Sequence, residues 1–232
     1  MIRTMGSMPA EWGTFVNLLG ALIFPFGLIC LLLVGGELVT GNMLTVTMAL
    51  YGKVITFQQW LRNMFLVTVF NFVGAAGVAV FFGYFSNTLQ GAFVERTIAV
   101  AMGRVADAPL QAFLSGIACN ILVCTGVYMN MASKDFIGKI FGTLLPITGF
   151  VIAGYQHVVA NMFLIMAGIL AGGVTWSQFA SNLLFVWLGN LVGGGAILAG
   201  SYFLAFKVGM KQTTTTSNAV KKDPVEGILE NE

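Results

Sequence analysis

The chain has 232 residues, of which 57% are hydrophobic and 9% charged, with a mean hydropathy of +0.88 and a formal net charge of +2. A soluble domain needs roughly 25% charged residues to hydrate its surface, so this composition excludes one and points to an integral membrane protein. No basic cluster with interleaved aromatics suggests nucleic-acid binding, and no Cys/His/carboxylate spacing suggests a metal or cofactor.

Residues 1–13 read as a loop with no cleavable signal peptide. A membrane-crossing helix takes about 20 apolar residues. Long apolar segments follow at about 14–50, 63–85, 108–131, 136–172 and 176–206. The first and fourth exceed a single span. Gly35-Gly36-Glu37 interrupts one and Gly154-Tyr155-Gln156-His157 the other, so each pairs glycine with a lone ionisable residue near mid-segment. Cys30, Cys119 and Cys124 fall inside apolar runs and carry no disulfide pattern. Residues 207–232 read as a polar, disordered tail behind a single transmembrane domain, 1–206.

The two interruptions are related by a shift of 119 positions. That shift lays Asn42-Met43 on Asn161-Met162, Thr56, Gln59 and Asn63 on Thr175, Gln178 and Asn182, and Asn71 on Asn190. A gapless match over about 35 residues signals an internal duplication, with repeat one at about 1–85 and repeat two at about 108–206. Repeat two holds three helices, whereas repeat one supplies only the last two, so the first helix that symmetry expects ahead of residue 14 reads as truncated. Three helices per half set the halves in opposite orientations, which is the inverted-repeat plan of an all-α transport protein whose broken helices meet at the midplane. With the C-terminus in the cytoplasm, Lys53, Arg62, Lys134, Lys139, Lys207, Lys211, Lys221 and Lys222 lie inside, against Arg3, Arg96 and Arg104 outside.

Under this topology Glu37 and His157 are ionisable and deep, where a charge costs about 2.5–3.5 kcal/mol on insertion scales. The only histidine of the chain, on a helix break, reads as a pore-lining titratable group or as a neutral interhelical hydrogen-bonding partner. Thr40, in the other break, could face it across the pseudo-two-fold axis. Glu37 reads as structural, accepting from unwound backbone amides. Asn71 and Asn190 read as interhelical hydrogen-bonding groups.

Three stretches resemble the formate–nitrite transporter family: Gly36-Glu37-Leu38-Val39-Thr40-Gly41-Asn42, Gly116-Ile117-Ala118-Cys119-Asn120, and Gly154-Tyr155-Gln156-His157-Val158-Val159-Ala160-Asn161-Met162-Phe163. The resemblance runs from about Leu18 to Phe206. It implies a pentamer of aquaporin-like protomers in the cytoplasmic membrane, each with its own pore for small monovalent anions such as formate, nitrite or hydrosulfide. By this resemblance His157 is the central pore histidine, Thr40 the threonine of the opposite break, and Phe24 with Phe150 the outer constriction. Leu28 and Val39 fall at inner-constriction positions, Asn120 near the pore, and Arg104 where the family usually carries a vestibule lysine. Asn42 and Asn161, with Glu37, would hold the breaks structurally. Gln156 stands in place of a common glutamate, and Val39 in place of a frequent phenylalanine.

A bare anion between phenylalanine rings pays a desolvation cost that a neutral weak acid avoids. The sequence therefore suggests an anion gathered by Arg104 and protonated beside His157, whose ordinary pKa near 6.5 suits a proton exchanged at physiological pH. No enzyme is indicated, since no nucleophile–base pair or phosphate loop is present. The alternative is an aquaporin-like channel for neutral solutes, which expects Asn-Pro-Ala where this chain has Gly41-Asn42-Met43 and Ala160-Asn161-Met162.

Overall fold

A computed structural model describes residues 2–207, the side chains of Thr4 and Ala10 excepted. The tail assigned to 207–232 lies, but for Lys207, outside the described residues. The segment expected to be a loop at the N-terminus instead forms a short helix, α1 (Ile2–Gly6), and a 3-10 turn (Ala10–Trp12). Ile2 is buried against Leu89, Leu164 and Ala167, and this apolar contact is what orders α1.

Among the described residues four stretches are long and apolar enough to cross a membrane: Phe15–Leu33, Phe57–Phe85, Pro109–Ala132 and Trp176–Lys207. The first comprises α2 (Phe15–Ile23) and α3 (Phe26–Leu33), separated at Pro25. α4 (Val39–Tyr51) follows the first break, and α5 (Phe57–Gly77) continues as a π-helical stretch to Phe85. Next come α6 (Val94–Val105) and α7 (Pro109–Ala132). α8 (Phe136–Ile152) and α9 (Val158–Leu170) flank the second break, and α10 (Trp176–Leu191) runs on through a π-helical segment, Val192–Ala199. The structure thus adds α6, which lies outside every apolar segment of the sequence, and begins α5 at Phe57 rather than near 63.

Helix ends follow their local chemistry. Thr56 and Thr175 each close a capping box with the glutamine three residues on. Asp135 caps α8 by accepting from the Gly138 N–H at 2.7 Å, which holds its carboxyl below the ordinary carboxylate range.

The duplication is written into the backbone. Gly35 and Gly154, equivalent positions, both take φ +77°, a left-handed conformation that only glycine adopts freely. Behind them the Gly36 N–H bonds Leu31 O at 2.8 Å and the Tyr155 N–H bonds Phe150 O at 3.1 Å. Downstream of both breaks the half-helices meet at one core containing Val39, Met43, Val158 and Met162, two equivalent pairs, sealed by Trp60, Met64 and Val186.

Helices approach closely where glycine allows it. A Cβ on Gly189 or Gly193 would collide with the Phe113 or Ile117 carbonyl oxygen, so these glycines let α10 lie on α7. A Cβ on Gly168 would meet Ala101, and this contact seats α6 along α9. Through it α6 reaches the second break.

Candidate functional site: the paired helix breaks

Each half-helix begins with backbone N–H groups that lack an intrahelical partner, and inside a membrane these must be satisfied by protein. In repeat one the Val39 N–H donates to Asn71 Oδ1 at 2.9 Å, and in repeat two the Val158 N–H donates to Asn190 Oδ1, also at 2.9 Å. The same asparagines return their amide N–H to the breaks, Asn71 to Glu37 O at 3.1 Å and Asn190 to Gln156 O at 3.1 Å. Asn71 and Asn190 are therefore the groups that bind the unwound backbone. This corrects the role expected of Glu37, whose carboxylate accepts not from a backbone amide but from Asn42 Nδ2 at 2.9 Å.

A second symmetric layer stands behind the first. Asn42 Nδ2 also donates to Asn63 Oδ1 at 3.0 Å. Asn161 Nδ2 donates to Gln156 Oε1 and Asn182 Oδ1, both at 2.8 Å. Gln156 goes further than its counterpart Glu37. Its Nε2 donates to Arg104 O at 3.0 Å and to Asp107 Oδ2 at 2.6 Å, two acceptors a glutamate could not serve.

The symmetry ends at His157. The position equivalent to His157 is Leu38, so one imidazole stands where the other repeat carries an alkyl chain. His157 is 6% exposed and forms the N-cap of α9. Its Nδ1 accepts from the Ala160 N–H at 3.1 Å, and its Nε2 lies 2.9 Å from Thr40 Oγ1. Because a backbone N–H can only donate, Nδ1 carries no proton in this arrangement. The ring proton therefore sits on Nε2, and Thr40 Oγ1 accepts it. Thr40's own hydroxyl proton is left free.

Phe24 and Phe150 meet edge to face with centroids 5.7 Å apart, and Phe150 stacks on the His157 ring at 5.8 Å. Behind this aromatic group a small cavity of about 10 Å³ touches Phe24, Phe150, His157, Asn161 and Arg104. His157 also borders a larger, mostly apolar cavity of about 520 Å³ lined among others by Arg3, Leu28, Leu31, Leu38 and Phe163.

Arg104 Nη1 donates to Gly154 O at 3.3 Å and Tyr155 O at 3.2 Å, carbonyls just beyond the C-terminal end of α8, where a cation is favoured. Asn120 lies fully buried. It donates to Asn190 O at 2.7 Å and Thr40 O at 3.3 Å, fixing the backbone that carries the threonine. Val39 is fully buried in the core with Met43 and Val158 and lines none of the cavities described here; Leu38 borders the His157 cavity in its stead. Leu38 is the extended N-cap of α4 and Val39 its first helical residue, so the two side chains point different ways. Leu38 was detectable in sequence as the repeat equivalent of His157.

Two broken helices from opposed repeats, with polar groups converging beside an aromatic pair, define a multi-pass membrane channel architecture rather than an enzyme. The chain belongs to the formate/nitrite transporter family, whose model, "Formate/nitrite transporter", matches residues 1–204. It is 42% identical over 206 residues to a formate channel of Bacillus thuringiensis, covering 89% of this chain and 80% of that one. It is also 34% identical over 218 residues to a formate channel of Haemophilus influenzae, covering 84% and 76%. Among solved structures it resembles an FNT family ion channel with a TM-score of 0.79 at 25% identity, covering 88% of this chain and 82% of that one. A pentameric formate channel with formate bound matches with a TM-score of 0.72 at 28% identity, covering 86% of both chains. Anion transport across a membrane follows from this membership.

Proposed function

We propose that the chain carries small monovalent weak-acid anions, formate first, through a pore in each protomer of a homopentamer in the plasma membrane, with the C-terminus cytoplasmic. The relatives named as formate channels and the pentameric neighbour support the substrate and the assembly. Nitrite and hydrosulfide share the charge and the weakly acidic conjugate acid, and the same reading extends to them.

The observation that carries the mechanism is the Thr40–His157 hydrogen bond set against the Phe24–Phe150 pair. An anion gathered near Arg104 cannot keep its hydration between two phenyl rings, and the cost falls steeply once it is neutral. At the constriction the free Thr40 hydroxyl proton is the donor that meets it. As the anion takes that proton, His157 Nε2 supplies its own to Thr40, and Nδ1 takes up the excess proton of a hydronium ion in exchange for its bond from the Ala160 N–H, leaving neutral water behind. The ring thus passes one proton without standing as an imidazolate. On the far side the acid returns its proton and leaves as an anion. Leu28 and Leu38 form the apolar continuation of the route, while Glu37, Asn42, Asn161 and Asn120 hold the two breaks in register.

The test is uptake of formate by proteoliposomes under a pH gradient, for the native protein and His157→Asn. The native protein should move a proton with each formate, and the variant should lose proton movement. Unchanged proton coupling in the variant would overturn the role of His157.

A further inference from the structure

A cavity of about 440 Å³ lies on the Arg104 side of the constriction, lined among others by Thr14, Asn17, Leu18, Arg104, Val151 and Gly154. No carboxylate lines it among the described residues. Its polar side chains, a threonine hydroxyl, an amide and a guanidinium, can all donate hydrogen bonds, which is the chemistry of an anion-holding surface.

The amide is oriented by a residue outside the cavity. Arg96 Nη2 stands 3.4 Å from Asn17 Oδ1. A guanidinium has donors only, so the oxygen of Asn17 must face Arg96, and its NH₂ group is turned away. That NH₂ group has no acceptor among the described residues, and Arg96 Nε is buried without a partner. Arg96 and Arg104 sit on the same helix, eight residues and hence about 12 Å apart. Because α6 lies along α9, with Ala101 at Gly168, Arg104 comes to the break and Arg96 stays two turns further out.

We propose that Asn17, oriented by Arg96, is a loading site at which a small monovalent oxyanion waits before it reaches Arg104. The site rests on the transport reading above and adds to it a station at the start of α2. Arg96 and Arg104 put two guanidinium groups along this side, the inner one partly offset by Asp107, and Asn17 supplies a neutral donor that binds without trapping. Arg96 is a positioning residue here, acting through Asn17.

Formate uptake by proteoliposomes tests this with full-length native protein, Asn17→Asp and Arg96→Met. Asn17→Asp retains an acceptor for Arg96, so folding is kept, and it replaces the waiting donor by a negative charge. The half-saturating formate concentration should rise about tenfold at low ionic strength with the maximal rate within about twofold. Raising the concentration of an inert salt should shrink the difference, as screening requires. Arg96→Met should raise half-saturation about threefold without altering the maximal rate. A purely structural role would lower the maximal rate and leave half-saturation and its salt dependence unchanged, and that result overturns the loading site. Native protein that carries no formate would overturn the transport reading; native protein that carries it while Asn17→Asp saturates identically would remove the loading site alone.

Discussion

Trp187 Nε1 donates to Thr68 Oγ1 at 3.0 Å, and the two residues are 119 positions apart, the period of the repeat. Equivalent positions in the two halves therefore touch, which places the pseudo-two-fold axis between them. One partner is an indole and the other a hydroxyl, so the contact is chemically asymmetric although its location is symmetric. Thr68 also donates to Met64 O at 2.6 Å, so its oxygen faces Trp187 as an acceptor.

If this bond ties the halves together, Thr68→Val and Trp187→Phe should each lower the melting temperature in detergent. A double-mutant cycle should return a coupling of about 0.6 kcal/mol, the average for interhelical bonds in membranes. Additive losses would mean that the two side chains merely pack.

Much of this architecture was legible before any coordinate. Gly35/Gly154, Asn42/Asn161, Asn63/Asn182 and Asn71/Asn190 are spaced alike because each break demands the same left-handed glycine and the same amide bonds, and physical demand of that kind preserves spacing. α6 escaped notice because Glu95, Arg96 and Arg104 interrupt any apolar window, and its seat depends on Ala101 meeting Gly168, a contact made only in three dimensions. The division of labour between Glu37 and Asn71 was hidden for a similar reason. Both can accept from a backbone N–H, and only the crossing of α5 past the break decides which one does.

Gln156 suits its site as an amide, not as a carboxylate lookalike. Its Nε2 serves Arg104 O and Asp107 Oδ2 together. Gln156→Glu removes both donations and sets two carboxylates against each other, with each unpaired buried group costing about 1–3 kcal/mol. The variant should melt well below the native protein near neutral pH. Asp107→Asn in the same chain should recover much of the loss, because the new amide can donate to the introduced carboxylate. If the double variant melts no higher than the single one, the Gln156–Asp107 contact is not the cause.

Lys53 occupies a place built for glycine. α4 ends in a Schellman arrangement, with Lys53 N–H to Leu50 O and Val54 N–H to Ala49 O, both at 2.9 Å. Lys53 sits at φ +58°, where its repeat equivalent is Gly172 at φ +79°. A left-handed L-residue costs about 1–2 kcal/mol, offset in part by the greater freedom of glycine in the unfolded chain. Lys53→Gly should raise the melting temperature slightly, with a gain below about 1 kcal/mol, and leave transport unchanged. A fall would indicate that the lysine charge at the end of α4 outweighs the strain.

The α7–α10 contact gives the sharpest contrast between glycines. A Cβ on Gly189 would overlap the Phe113 carbonyl oxygen, which is backbone and cannot swing aside, whereas a Cβ on Gly149 meets nothing within 4 Å. Both lie within helices, where alanine is intrinsically favoured over glycine by about 1 kcal/mol. Propensity and packing therefore act together at Gly149 and oppose each other at Gly189. Gly149→Ala should be neutral or mildly stabilising in a thermal melt. Gly189→Ala should force α10 away from α7, shift the Asn190 side chain that holds Val158, and yield little folded protein and no formate uptake. Should Gly189→Ala fold and transport normally, the two helices would have to sit further apart than they do here, and Asn190 would need another way to reach the second break.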